Sequence, residues 1–260
     1  MSQVAVINPT PWGEREIRGP VHLFRERTMM RLLRPKLETG VVVDAGCGSG
    51  SFSFDMCKAG YRVHAVELSE AFVELVNHKI SRFGNESRLT VQQSSVTELP
   101  FEDESFDGGV SGEVLEHVTE DQGGDEMAVK ELHRVLRPGA ACVASVPLNP
   151  QLWDASDEWA GHVKRYRREE FVGLFESNGF DVDQVTTWGF PLGQLYHRFL
   201  FAPWIQRAST KDKAAVDGRL DTRAAGNRAL VEAVARVLRF DELFSKWSLG
   251  RGVIISARRR

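Results

Sequence analysis

The sequence has few cysteines, little net charge and no long apolar run, and each shortage excludes a class of protein. Its three cysteines, Cys47, Cys57 and Cys142, lack the spacing of metal ligands, so we expect reduced thiols in a cytoplasmic protein. The formal net charge of −3 gives no general attraction to nucleic acid. No stretch has the apolar length of a membrane span or a signal peptide. The 260 residues are therefore expected to form one large globular domain with room for an insertion.

What the chain does contain is a glycine-rich corner at Val41–Phe52, with the sequence VVVDAGCGSGSF. Its three valines predict a buried strand, and the amphipathic run from Phe52 to Lys58 predicts a helix. Glycine lets the backbone approach a ligand closely, and the start of a helix offers unpaired N–H groups. A strand, a glycine-rich turn and a helix together predict a nucleotide-binding corner.

The spacing of the glycines indicates which nucleotide binds there. Gly46, Gly48 and Gly50 follow the pattern G-x-G-x-G, whereas a dinucleotide fingerprint requires its third glycine where Ser51 stands. Asp44, at the end of the strand, would repel a pyrophosphate and attract a cationic amino or sulfonium group. The corner therefore favours an adenosine ligand that carries positive charge and no phosphate, with a tight turn that binds nothing as the alternative.

In this corner the chain resembles the class I S-adenosylmethionine (SAM)-dependent methyltransferases of the small-molecule, type 11/12-like kind. The phrases Leu99-Pro100-Phe101 and Phe106-Asp107 match the same family, and the resemblance covers roughly residues 41–185. It implies a doubly wound, Rossmann-like α/β sheet of seven mostly parallel strands, the last antiparallel. It also implies SAM as the cofactor and S-adenosylhomocysteine (SAH) as the product. The resemblance does not place residues 189–250, where an apolar run from Phe190 to Ile205 and an amphipathic run from Ala229 to Arg239 predict a helical insertion before the last strand.

An acidic residue follows the next predicted strand, Tyr61–Leu68. Glu67 stands at the distance from the glycines where a carboxylate binds ribose hydroxyls in such folds. The alternative role is a favourable charge at the start of the helix that Ser69 and Glu70 open.

After a short third strand, Leu89–Gln93, the chain departs from the family pattern. Many of these methyltransferases have an Asp that binds the adenine amino group where this sequence has Ser95. The Ser95 hydroxyl and the Val96 backbone N–H are the substitutes that the resemblance implies.

The segment Gly112–Val118, GEVLEHV, follows a predicted fourth strand, Phe106–Ser111. On a helix, Glu113, Glu116 and His117 would share one face, because they are spaced i, i+3 and i+4. Three roles are open for this trio. His117 or Glu113 is a general base near the methyl acceptor, the trio binds a divalent cation as in methyltransferases of RNA ends or catechols, or the acidic residues stabilise a helix start.

A second distinctive stretch is Gly161–Phe171, GHVKRYRREEF, which resembles a stretch in some small-molecule methyltransferases. Its functional interpretation makes His162 a base or the partner of one, and Arg165 or Tyr166 a contact to a polar acceptor. The structural interpretation is that the run caps the next helix and pairs with Asp154 and Asp157.

The predicted organisation has four parts. Residues 1–40 form an N-terminal arm and a helix, His22–Arg34, whose Arg25 and Arg27 face solvent. For the arm, the resemblance implies a cofactor lid that includes Trp12, and a disordered tail is the alternative. Residues 41–188 form the SAM-binding core, 189–250 a helical insertion, and 251–260 the last strand and a basic tail. The insertion is expected to roof the acceptor pocket, to form a homodimer contact or to touch a lipid surface.

These inferences predict a methyltransferase that O-methylates a hydroxyl or carboxyl group of a small molecule in secondary metabolism. The catalytic candidates are His117, His162 and Glu113, and no metal ligand is assigned. The cofactor-binding candidates are Asp44, Ala45, Gly46, Cys47, Gly48, Gly50, Phe52, Glu67, Leu68, Ser95, Val96, Ser111, Gly112 and Glu113. The acceptor-binding candidates are Trp159, His162, Arg165, Tyr166 and Tyr196. A Mg-assisted O-methyltransferase of a catechol, quinone-like or RNA-end substrate, an NAD-type oxidoreductase and a non-catalytic partner protein with the same fold are the alternatives.

Overall fold

Strands and helices alternate along the part of the chain that this computed structural model describes, residues 19–84, 87–203 and 228–260. The strands are β1 (Val41–Ala45), β2 (Arg62–Glu67), β3 (Leu89–Gln93), β4 (Phe106–Gly112), β5 (Leu136–Pro147), β6 (Phe180–Trp188) and β7 (Gly252–Arg259). The helices are α1 (Pro20–Leu33), α2 (Ser51–Lys58), α3 (Glu70–Phe83), α4 (Gly124–Val135), α5 (Ala155–Ala160), α6 (Arg168–Ser177), α7 (Leu192–Tyr196) and α8 (Arg228–Leu238). Short 3₁₀ turns lie at Leu115–His117, Glu120–Gln122, Pro150–Leu152 and Arg239–Phe244, and a π turn lies at His197–Phe201.

The strands form one sheet in the order β3-β2-β1-β4-β5-β7-β6. Strands β1 to β5 run parallel, and β7 lies antiparallel between β5 and β6. The predicted doubly wound sheet with an antiparallel last strand is confirmed. Because β1 has β2 on one side and β4 on the other, the strand order reverses beside it, and ligands bind such sheets at the carboxyl ends of the strands there.

Two apolar cores cover the two faces of the sheet, because successive strand side chains point to opposite faces. Val42 belongs to the core formed with α1, α2 and α3, which includes Phe24 and Met56. Its neighbour Val43 belongs to the core formed with α4 and α6, which includes Leu132. Full burial of a side chain of this size stabilises the fold by about 1.5–3 kcal/mol, so β1 is held from both faces.

The structure differs from the prediction at the start of one strand and in the conformation of one segment. Strand β5, expected at Ala141–Pro147, begins at Leu136, because Leu136 pairs with Phe106 before an exposed bulge at 137–139. The segment Gly112–Val118 contains only one 3₁₀ turn, Leu115–His117, so the expected helix is wrong. The helix is interrupted because the Glu113 N–H donates to the Ser145 carbonyl at 2.9 Å and its φ of 60° turns the chain sharply.

Candidate functional site

A cavity of about 620 Å³ opens at the carboxyl ends of β1, β2 and β4, where the strand order reverses. Eleven of the fourteen predicted cofactor-binding residues line it: Asp44, Gly46, Cys47, Gly48, Phe52, Glu67, Leu68, Ser95, Val96, Gly112 and Glu113. The catalytic candidates His117 and His162 also line it. Three other predicted cofactor residues, Ala45, Gly50 and Ser111, are not among its lining residues. Its volume is that of a site for a small-molecule ligand.

The three glycines of the corner serve different purposes. A Cβ on Gly46 would lie 2.4 Å from the Val114 side chain, and one on Gly50 would lie 3.0 Å from Val76. Those two glycines are required by the packing of the protein itself. A Cβ on Gly48 would meet no protein atom within 4 Å, and Gly48 lines the cavity. Gly48 is therefore the position where the missing side chain leaves room for a ligand against the backbone.

Asp44 is a buried carboxylate at the base of this corner. Only 3% of the residue is exposed, and one carboxylate oxygen accepts a 2.5 Å hydrogen bond from the Ser53 hydroxyl. Burial raises the pKa of Asp44 to about 7; the hydrogen bond from Ser53 opposes the rise, and the charges of Glu26 and Glu67 add to it. A cationic ligand group would relieve that repulsion, whereas a phosphate would increase it.

Glu67 is held in place by two backbone N–H groups. Its carboxylate accepts from Gly48 at 2.8 Å and from Ser69 at 3.0 Å. The Ser69 contact is the helix-start interaction that the sequence left as the alternative, because Ser69 caps α3. The Gly48 contact holds the same carboxylate beside the cavity, which Gly48 and Glu67 both line. The two roles are therefore compatible in one side chain.

One wall of the cavity comes from α1, and sequence reasoning missed it. His22, Arg25, Glu26 and Met29 line the cavity, so the expectation that Arg25 faces solvent is wrong. The Ser51 hydroxyl donates to Glu26 at 2.5 Å, which joins α1 to the start of α2. The polar residues at 22, 25 and 26 recur at helical spacing on one face of α1, and this was the signal available in the sequence.

The adenine end of the predicted site has a local structure of its own. The Ser95 and Thr97 hydroxyls are 2.7 Å apart, and the Thr97 N–H donates to the Ser95 hydroxyl at 3.2 Å. Leu68 and Phe72, which follow β2, also line the cavity, and Leu68 is largely exposed. The Ser95 hydroxyl is thus engaged in a turn at the edge of the cavity.

The Glu113, Glu116 and His117 side chains do not share a face, which corrects the helical expectation. Glu113 is turned toward α1 and β5, 3.6 Å from the Arg25 guanidinium and 3.1 Å from the Ser145 hydroxyl that donates to it. Glu116, three residues beyond the bend at Glu113, is fully buried. Burial raises the pKa of Glu116 well above its ordinary value, and Glu113 adds to the rise.

Two histidines from distant parts of the chain meet beside Glu116. The centroids of the His117 and His162 rings are 4.9 Å apart, and His162 Nε2 is 3.8 Å from Glu116 Oε1. His162 Nδ1 lies 2.8 Å from Asp157 Oδ1, and His117 Nδ1 lies 3.2 Å from the Gly161 carbonyl oxygen. Burial lowers the pKa of His117, and the neighbouring His162 lowers it further. A neutral imidazole at this position is able to accept a proton.

The remaining acceptor-binding candidates are not among the lining residues of the cavity: Trp159, Arg165, Tyr166 and Tyr196. Arg165 is buried; its Nε donates to Asp157 at 2.7 Å and its Nη1 to the Leu148 carbonyl at 2.9 Å. Tyr166 is fully buried and donates to Asp125 at 2.6 Å. These contacts agree with the structural interpretation of the GHVKRYRREEF stretch. Of the residues in that stretch, His162 alone lines the cavity.

Some expectations fall on residues outside the described ranges. Trp12, the predicted lid residue, is one of them, and so is the middle of the insertion, residues 204–227. None of the cavity's lining residues comes from the described parts of the insertion, 189–203 and 228–250. Among the described residues, no helix combines the length and apolar character that crossing a membrane requires.

A comparison with known protein families matches part of this site. A family model described as a methyltransferase domain matches residues 43–144, which contain Asp44, the three glycines of the corner, Glu67 and the Glu113–His117 segment. A probable S-adenosylmethionine-dependent methyltransferase of Mycolicibacterium smegmatis is 29% identical over 179 residues, 66% of this chain and 66% of that protein.

A second relative with the same description, from Mycobacterium tuberculosis, is 28% identical over 158 residues, 60% of this chain and 54% of that protein. The chain thus spans about half to two thirds of the length of these curated relatives. Among solved structures, a putative sarcosine dimethylglycine methyltransferase from Galdieria sulphuraria matches with a TM-score of 0.64 at 16% identity, over 91% of this chain and 86% of that one. At that identity the likeness shows a shared fold.

Proposed function

We propose that this chain, whose residues 43–144 form a class I SAM-dependent methyltransferase domain, transfers the methyl group of SAM to a small-molecule acceptor. The observation that carries the proposal is a single cavity lined by two chemically different groups of residues. Asp44, Glu67 and the open side of Gly48 form the first group, which we name the cofactor end, and the His117–His162 pair forms the second, which we name the acceptor end. A methyl donor and an acceptor that needs a base would meet between them.

The residues at the first end fit SAM. The space beside Gly48 accommodates a ligand against the backbone, and Asp44 favours the positive charge that SAM carries without any phosphate. We assign Glu67 to the ribose diol, and the Val96 N–H and the Ser95 hydroxyl to the adenine ring, because all three residues line the same cavity as Gly48. SAM supplies an electrophilic methyl group on a sulfonium; the protein binds and orients it, and an in-line transfer depends mainly on that positioning.

The residues at the other end suit a hydroxyl acceptor. His162 is oriented by Asp157 through Nδ1, which directs Nε2 toward Glu116 and the space beside it. A base held by a third group is the arrangement that activates hydroxyl nucleophiles. His117, kept neutral by burial, is the second candidate base. We therefore propose O-methylation of a hydroxyl or carboxyl group, with a secondary metabolite as the class of acceptor.

The described parts of the insertion support a packing role for 189–250. Arg27 of α1 pairs with Glu232 of α8 at 2.8 Å, and Arg31 pairs with Glu242 at 2.9 Å. Large exposed apolar side chains remain on the same segments, among them Phe199, Leu200, Leu243 and Trp247. We propose that the described parts of the insertion, 189–203 and 228–250, hold α1 against the cavity and offer a homodimer contact through those side chains.

Binding of SAM and SAH, measured by calorimetry on the full chain, tests the proposal. Asp44→Ala and Glu67→Ala should each weaken SAM binding, whereas Glu70→Ala, an exposed carboxylate three residues beyond Glu67, should not. Unchanged affinity in both cavity variants would exclude the assigned corner, and so would NAD binding in place of SAM. Formation of SAH from SAM in the presence of each member of a panel of hydroxylated small molecules would then identify the acceptor.

A further inference from the structure

The Glu116 carboxylate is a buried group without the contacts that burial normally requires. The residue is 0% exposed, and within the described part of the chain neither carboxylate oxygen has a hydrogen-bond partner. A buried polar group left unsatisfied costs about 1–3 kcal/mol, and more if it is charged. Native proteins rarely keep such a group unless a proton, a water or an ion completes it.

The two neighbouring histidines are oriented as metal-binding histidines usually are. His162 contacts the Asp157 carboxylate through Nδ1 at 2.8 Å, and His117 contacts the Gly161 carbonyl oxygen through Nδ1 at 3.2 Å. Histidine ligands typically donate one ring N–H to a carboxylate or backbone carbonyl, which fixes the tautomer and makes the other nitrogen the ligand atom. In both side chains that other nitrogen is Nε2.

The geometry points to a divalent transition-metal site formed by Glu116, His117 and His162. One ligand atom from each residue lies within 4.8 Å of the other two, and His162 Nε2 is 3.8 Å from Glu116 Oε1. Tetrahedral ligands at about 2.0–2.2 Å from a zinc-like ion lie about 3.4 Å from one another. Side-chain shifts of about one ångström or less would therefore bring the three ligand atoms to coordination distance from an ion.

The donor atoms favour some metals over others. Two imidazoles and one carboxylate suit Zn²⁺, Fe²⁺ or Co²⁺, whereas Mg²⁺ prefers oxygen ligands. The set also differs from the trio considered from the sequence, because Glu113 is directed to Arg25 and Ser145. His162, from a segment 45 residues beyond His117, takes its place.

The position of the site gives the ion a role in the proposed reaction. His117 and His162 line the cavity, so coordination positions beyond these three ligands would face the space proposed for the acceptor. An acceptor hydroxyl bound to the ion through oxygen would be oriented and would lose its proton to solvent water more readily. With the ion bound, Nε2 of His117 and of His162 would be occupied as ligand atoms, so the ion would replace these imidazoles as the group that activates the hydroxyl. Only this role rests on the proposed methyl transfer; binding of the metal does not.

Cobalt titration of the full chain, purified without a polyhistidine tag and treated with EDTA, tests the site directly. Wild type should bind one equivalent of Co²⁺ with visible absorption bands of a nitrogen- and oxygen-ligated ion. Glu116→Gln and His162→Ala should each weaken Co²⁺ binding by at least about tenfold. Glu113→Gln and His78→Ala, an exposed histidine on α3, should bind Co²⁺ as wild type does.

Thermal melting and SAH calorimetry on the same samples separate the outcomes. Glu116→Gln should fold at least as stably as wild type, since it removes a buried ionisable group, so its loss of cobalt would not reflect unfolding. The metal site would be overturned if wild type bound no stoichiometric Co²⁺, or if folded Glu116→Gln bound Co²⁺ as tightly as wild type. A proton on Glu116 would then be what makes its burial possible. Normal SAH binding beside either result would leave the proposed function intact, whereas cobalt binding without SAH binding would overturn only that function.

Discussion

Asp44 should make SAM binding depend on pH near neutrality. Burial raises the pKa of this carboxyl to about 7, so the free protein holds a proton there that an ordinary aspartate loses near pH 4. A cationic ligand favours the ionised carboxylate. SAM binding should therefore release a proton from Asp44, and SAM affinity should rise as the pH increases through 7.

The size of the effect follows from that pKa. With a pKa of about 7, about one Asp44 in eleven is ionised at pH 6 and about ten in eleven at pH 8. If the ionised form alone binds SAM well, affinity should change about tenfold across this interval, which is about 1.4 kcal/mol. Asp44→Asn should abolish the slope and bind weakly at every pH, because the amide retains the shape without the charge.

Calorimetry at pH 6, 7 and 8, repeated in buffers of different ionisation enthalpy, measures both the affinity and the proton released. Other titratable groups line the same cavity: His22, Glu26, Glu67, Glu113, His117 and His162. The control is therefore His117→Ala, which should keep the slope if Asp44 causes it. A flat wild-type profile, or a slope that persists in Asp44→Asn, would refute the account of the glycine corner.

Three further changes test separate parts of the structure. Gly48→Ala should lower the free energy of unfolding by only about 1 kcal/mol, because of its φ of 52°, yet it should weaken SAM binding. Gly46→Ala should instead lower the melting temperature severely, because its Cβ would collide with Val114. If Gly48→Ala binds SAM as tightly as wild type, the ligand lies elsewhere. His162→Ala should cut turnover while SAM affinity stays nearly unchanged, and full activity in a steady-state assay would return His162 to a structural role. Tyr166→Phe removes the hydrogen bond to Asp125 and should lower the free energy of unfolding by about 1–3 kcal/mol in urea denaturation without changing SAM affinity; the opposite pattern would place Tyr166 at the ligand.

The fold and the cofactor end of the site were predictable because their signals are local. The run of valines before Asp44, the three glycines and the carboxylate of Glu67 each lie within a few residues of the strand end that positions them. In a parallel sheet, strand ends from different parts of the chain meet at one edge, so local patterns were enough to bring Asp44 and Glu67 together. The predicted strands accordingly begin and end within a few residues of those observed, with β5 as the exception.

The acceptor end depended on contacts that no local pattern contains. Helical spacing was assumed for Glu113, Glu116 and His117, but the pairing of Glu113 with Ser145 of β5 and its positive φ placed Glu113 apart from the other two. Arg25 appeared solvent-facing from its own helix, because its partner Glu113 lies 88 residues away.

The sequence by itself determined the order of the strands and helices, the glycine corner and the acidic residues that follow the first two strands. It did so because hydrophobic period, turn residues and strand ends are properties of neighbouring positions. Only the tertiary structure decided that Glu116, His117 and His162 meet, that Arg165 and Tyr166 are buried, and that α1 forms a wall of the cavity. Those outcomes depend on which distant side chains pack together, since burial and charge pairing are fixed when the layers of the sheet close.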